Sequence, residues 1–84
     1  RFPMDKKRQQ ELRMLGITIS YYRRAKGYTQ AQLAREIHVS RTHISNIEAP
    51  NAKTSVSITL LMDIADALDI PLTYLFDFHD RFSD

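Results

Sequence analysis

Eighty-four residues allow one domain, and since domains of about 60 residues already fold alone, a single modest core is expected. The absence of cysteine excludes a disulfide framework and a thiolate metal site, which suits a reducing cytoplasm. No apolar run approaches the roughly 18 residues of a membrane span and no signal peptide is visible, so a cytoplasmic protein without a membrane role is expected.

The formal net charge of +2 conceals a division along the chain. Residues 1–26 carry eight Lys/Arg against Asp5 and Glu11, a balance of +6. Residues 57–84 carry only Arg81 against six aspartates, a balance of −5, and residues 27–56 stand at +1. Charge runs are ordinarily solvated faces. A dipolar chain can also approach a polyanion with its basic half leading.

In chain order, residues 4–26 read as a first helix. Arg1, Phe2 and Pro3 stand ahead of Met4 as a vector remnant would, and no function is assigned to them. Leu12, Leu15, Ile19 and Tyr22 fall at i, i+3, i+7 and i+10, one stripe of an amphipathic helix. Gly16 interrupts it at a cost of about 1 kcal/mol relative to Ala, a weak point. Gly27 is suited to end the helix as its C′ residue.

Residues 29–48, TQAQLAREIHVSRTHISNIE, read as two short helices joined by a tight turn. Thr29 caps the first, and Gln32 completes a T-x-x-Q capping box. Leu33, Ala34 and Ile37 give that helix an apolar face. His38 and Val39 break the pattern, and Ser40 caps the second helix. There Ile44 and Ile47 point inward, while Arg41, Thr42, Ser45 and Asn46 share another side at i, i+1, i+4 and i+5. That side carries donors and acceptors suited to base edges, as a helix-turn-helix reader needs.

After Glu48, APNAKTSV is a loop by composition, and Pro50 cannot continue a helix. Ser57 caps a fourth helix whose buried stripe is Ile58, Leu61, Ile64, Ala65 and Leu68. Pro71 opens a short fifth helix through Leu72, Leu75 and Phe76. No strand alternation or internal repeat is visible.

The 29–48 stretch resembles the helix-turn-helix of the Cro and phage-repressor family, also called the xenobiotic-response-element type. The matching residues are YTQAQLA, Val39-Ser40 after the turn, and ISNIE closing the second helix, and the similarity extends from about Leu15 to Phe76. Two positions depart from the family pattern. His38 stands where the turn glycine is usual, and Pro50 where a glycine usually follows the recognition helix. A non-glycine residue at positive φ is uncommon, although His is among the better tolerated.

The resemblance implies an all-α, five-helix domain like that of lambda repressor. Residues 1–10 would form a basic segment, 11–76 the helix-turn-helix domain and 77–84 a tail. It implies sequence-specific binding of double-stranded DNA by a transcription regulator, in the first instance a repressor, with helix 40–48 in the major groove. It also implies that Arg23 pairs with Glu48, and that Gln30 touches phosphate and braces the recognition side chains. Two-fold dimers reading half-sites about 34 Å apart are the family's usual assembly.

The residue chemistry can be weighed position by position. Arg41 can grip guanine O6 and N7 with two hydrogen bonds; its plain alternative is an ordinary exposed arginine. Thr42 offers a methyl to thymine, Asn46 matches adenine, and Ser45 is short enough to permit close approach. Ser40, His43, Arg24, Lys26 and Lys53 are phosphate candidates. Late in the chain, Tyr74, Leu75, Phe78 and Phe82 are more apolar surface than one small domain needs, and are read as a homodimer interface. His38 and His43 are five apart across a turn, not the i, i+4 pair of a helical zinc site. No catalytic triad, phosphate loop or dinucleotide fingerprint is present, so neither an enzyme nor a cofactor is expected. The alternative reading is an antitoxin-type module that binds its own operator and a protein partner, a toxin or an antirepressor. A basic amphipathic segment lying on a membrane is disfavoured, because the apolar stripe needs burial.

Overall fold

The computed structural model describes residues 6–50 and 55–77. In this region there are four α-helices and one 3₁₀ helix: α1 Lys6–Lys26, α2 Gln30–Glu36, α3 Arg41–Glu48, α4 Ile58–Leu68 and the 3₁₀ helix Leu72–Phe76. The helices α2, α3 and α4 each start on a hydroxyl cap. Thr29 Oγ1 accepts from the Gln32 amide at 3.0 Å, and the Gln32 side chain accepts in return from the Thr29 amide at 2.8 Å, closing the capping box. Ser40 and Ser57 accept from the amides of His43 and Leu60 at 3.0 and 3.1 Å.

Three helices end in one way. The chain turns at a residue of positive φ: Gly27 at 85°, His38 at 61° and Asp69 at 59°. In each turn that residue's amide bonds the carbonyl three back, and the next amide bonds the carbonyl five back from itself. The pairs are Gly27 to Arg24 and Tyr28 to Arg23, His38 to Arg35 and Val39 to Ala34, and Asp69 to Asp66 and Ile70 to Ala65. These are Schellman ends, which satisfy carbonyls the helix would leave orphaned. The residue after each turn, Tyr28, Val39 or Ile70, packs on the core. His38 therefore makes the motif's turn without glycine, in a region costing an L-residue about 1–2 kcal/mol.

The core lies where α1 crosses α3 and α4. Ile19, Leu33, Ile44, Ile64 and Leu75 are fully buried, each from a different helical element. Leu15, Ala34, Ile47, Leu61, Ala65 and Leu68 complete the core, and Leu12 and Tyr22 flank it on the α1 stripe. Thr18 is buried in the same stripe, its hydroxyl donating to the Met14 carbonyl at 2.8 Å. No described buried side-chain polar atom lacks a partner.

Several expectations need correction. The fifth helix is 3₁₀, held by i→i+3 bonds from Tyr74 to Pro71 and Asp77 to Tyr74. Only five residues are available, Thr and aromatics among them, and Pro71 provides no side-chain cap, so the tighter winding suffices. Leu75 is removed from the interface candidates: it is 0% exposed and fills the protomer's own core. Ile58 is not part of the buried α4 stripe but 53% exposed. It opens α4, and because helical side chains lean toward the N-terminus, it projects past the packed turns. The boundary between residues 10 and 11 falls within α1, which runs through it unbroken. Lys53, Phe78 and Phe82 lie outside the described residues.

Candidate nucleic-acid interface

The second motif helix, α3, has two faces because Ile44 and Ile47, three residues apart, are drawn into the core. Their burial turns Arg41, Thr42, His43 and Asn46 outward, with Ser45 half-buried at the edge. The eight-residue helix is about 12 Å long at 1.5 Å per residue, enough to present a few base-reading side chains but no more.

Behind this face runs a chain of hydrogen bonds. Arg41 Nη1 donates to Gln30 Oε1 at 3.0 Å, and Gln30 Nε2 donates to Glu48 Oε1 at 3.0 Å. Glu48 is also gripped by Arg23, with Nε to Oε2 at 2.8 Å and Nη2 to Oε1 at 2.9 Å. The remaining Arg23 nitrogen, Nη1, donates to the Tyr28 carbonyl at 2.7 Å. Gln30 thus joins an exposed arginine at the start of α3 to a buried ion pair at its end. Its amide can satisfy both neighbours only in this orientation, since Glu48 accepts and Arg41 donates.

Arg24 and Lys26 are exposed at the C-terminal end of α1, close in sequence to the start of α2. Ser40 is exposed at the cap of α3. Arg41, Gln30, Glu48 and Arg23 are brought into one network. Two contributors escaped the sequence reading. Arg13 Nε donates to the Pro50 carbonyl just past α3, at 3.1 Å. Gly16 is buried against Ile47 and Glu48 at the α1–α3 crossing, which gives that glycine a packing role the helix alone does not require. The available signal was their spacing: positions 13, 16 and 23 fall at i, i+3 and i+10, on one side of a helix.

Among the described residues no helix is long and apolar enough to cross a membrane, and no group of three or more His, Asp or Glu side chains is placed to hold a metal ion.

Comparison with known proteins places this geometry. A family model described as helix-turn-helix matches residues 19–75. The chain is 41% identical over 64 residues to the HTH-type transcriptional regulator SlrR of Bacillus subtilis, covering 76% of this chain and 41% of SlrR. It is 36% identical over 64 residues to SinR of the same organism, covering 76% of this chain and 57% of SinR. The chain thus spans about half the length of these curated relatives. Among solved structures it is similar to the restriction-modification controller protein C.AhdI of Aeromonas hydrophila, with TM-score 0.74 and 30% identity over 80% of this chain and 98% of that one. It is also similar to SinR, the master regulator for biofilm formation, in complex with DNA, with TM-score 0.68 and 35% identity over 75% of this chain and 98% of that one. With the motif matched along most of its length, this chain belongs to the helix-turn-helix family of the Cro and repressor type.

Proposed function

We propose that this chain is a transcription regulator that binds double-stranded DNA sequence-specifically and acts by occupying its site. The observation that carries this reading is α3 itself, whose outward face offers Arg41, Thr42 and Asn46 while its inward face is locked in the core. In that reading α3 enters the major groove, where Arg41 reads a guanine and Asn46 an adenine. Ser40, His43, Arg24, Lys26 and Lys53 are assigned to phosphate contacts in this reading. Gln30 restrains Arg41 through its hydrogen bond before DNA arrives, which reduces the side-chain entropy lost on binding. The basic charge of the first 26 residues assists encounter with DNA. The DNA complex of the similar SinR supports the reading.

A lone α3 covers only a few base pairs, so the working form is taken to be a two-fold dimer in the cytoplasm. Tyr74 and Phe76 on the 3₁₀ helix remain 46% and 47% exposed, apolar surface at the end of the chain richest in acid. A dimer through that end keeps the acidic half away from DNA. The function is tested by selecting bound sites from random duplexes and measuring affinity across a salt series. A recovered consensus, with affinity falling steeply with salt, is expected. Equal binding of all duplexes, or none, overturns the reading.

A further inference from the structure

The α1–α3 crossing carries an inference about how α3 is aimed, and it rests on the DNA-binding reading above. Three residues on one side of α1 meet the last turn of α3 and Pro50, two residues past its end. Arg23 holds Glu48 through two hydrogen bonds, and Arg13 Nε holds the Pro50 carbonyl at 3.1 Å. Between them Gly16 is pressed against the α3 backbone. A Cβ at Gly16 would collide with the Ile47 carbonyl oxygen and lie 3.2 Å from Glu48 Cα. The obstacle is main chain, which cannot rotate aside as a flexible side chain would. The opposite end of α3 is held differently. It is joined to α2 by the turn at His38 and Val39, capped by Ser40, and tied back through Arg41 to Gln30.

We propose that Gly16, with Arg13, is a positioning residue for base recognition: the missing side chain sets how close the C-terminal end of α3 lies to α1, and so the pitch of α3 in the groove. Neither residue touches DNA in this scheme. A methyl group at position 16 lifts the last turn of α3 while the α2 turn restrains its first. The helix then tilts about its N-terminal end. Asn46, near the lifted end, moves furthest from its base, and Arg41, near the pivot, moves least. Loss of the Arg13 tether loosens the same end without adding an atom.

The test compares wild type, Gly16→Ala and Arg13→Ala by base-preference profiles on the selected duplex, together with total affinity across a salt series. Gly16→Ala is expected to lose about tenfold of discrimination at the base read by the C-terminal half of α3, with the Arg41 position kept. Arg13→Ala is expected to show a smaller loss at that same base. A merely structural defect would lower every position together, and a lost phosphate contact would weaken all sequences and flatten the salt slope by about one unit. Either pattern, or an unchanged profile, overturns the proposal. Should Gly16→Ala fail to fold, the Arg13→Ala profile decides alone, since that side chain is exposed. Residual dipolar couplings on the free proteins report the α1–α3 angle without DNA. A wild type lacking any base preference ends the DNA reading, whereas an unchanged angle in Gly16→Ala ends the positioning claim.

Discussion

Arg23 and Glu48 are joined by two parallel hydrogen bonds of 2.8 and 2.9 Å, with their side chains only 8% and 5% exposed. Shelter on both sides distinguishes this pair from a surface ion pair, where solvent screening leaves little net energy. Arg23 spends its third bond on the Tyr28 carbonyl, and Glu48 receives Gln30 as well. Removing either side chain strands the other, a loss of about 3–5 kcal/mol in chemical denaturation. A double-mutant cycle is expected to show coupling above about 1 kcal/mol. Additive losses would mean that the two charges act independently.

Arg41→Ala is expected to cost about 1–3 kcal/mol at the preferred duplex and to relax preference at one base position. Gln30→Ala removes the side chain that holds Arg41 without removing the reader itself. It should therefore weaken discrimination at that same position by less. Fluorescence anisotropy against a set of single-base variants checks both. Loss at different positions for the two variants would sever Gln30 from Arg41 function.

The three positive-φ turns predict opposite responses to exchange. His38→Gly and Asp69→Gly relieve left-handed strain, and after the extra chain entropy of glycine each should gain up to about 1 kcal/mol. Gly27→Ala should lose about 1 kcal/mol for the same conformational reason. A Cβ at Gly27 meets nothing within 4 Å, so that loss reports backbone strain alone. Thermal and urea melts of the three variants measure these changes. A destabilised His38→Gly would show that the imidazole contributes more than the turn's strain costs.

Sedimentation of the free protein across a concentration series is expected to show a monomer–dimer equilibrium. Tyr74→Ser combined with Phe76→Ser should shift it toward monomer and abolish the preference for a palindrome over a half-site. Phe78→Ser combined with Phe82→Ser tests the tail separately. A monomer at every concentration that binds half-site and palindrome equally would remove the dimer from the mechanism.

The local features could be read from residue spacing because their physics is local. The capping box at Thr29 and Gln32, the caps at Ser40 and Ser57, and the turn at Gly27 each depend on atoms a few bonds apart. The apolar spacing of Ile44 and Ile47 likewise determined which face of α3 would be presented to solvent. Tertiary structure decided what distant segments do to each other. Leu75 and Phe76 are adjacent apolar residues, yet one fills the core and the other faces solvent, because a 3₁₀ helix packing on α1 and α4 can bury only one side. Gly16 reads locally as a helix defect and becomes a close crossing only when α3 passes over it. The link from Arg41 through Gln30 to Glu48 joins residues 11 and 18 positions apart, and only the folded chain sets their side chains at hydrogen-bonding distance.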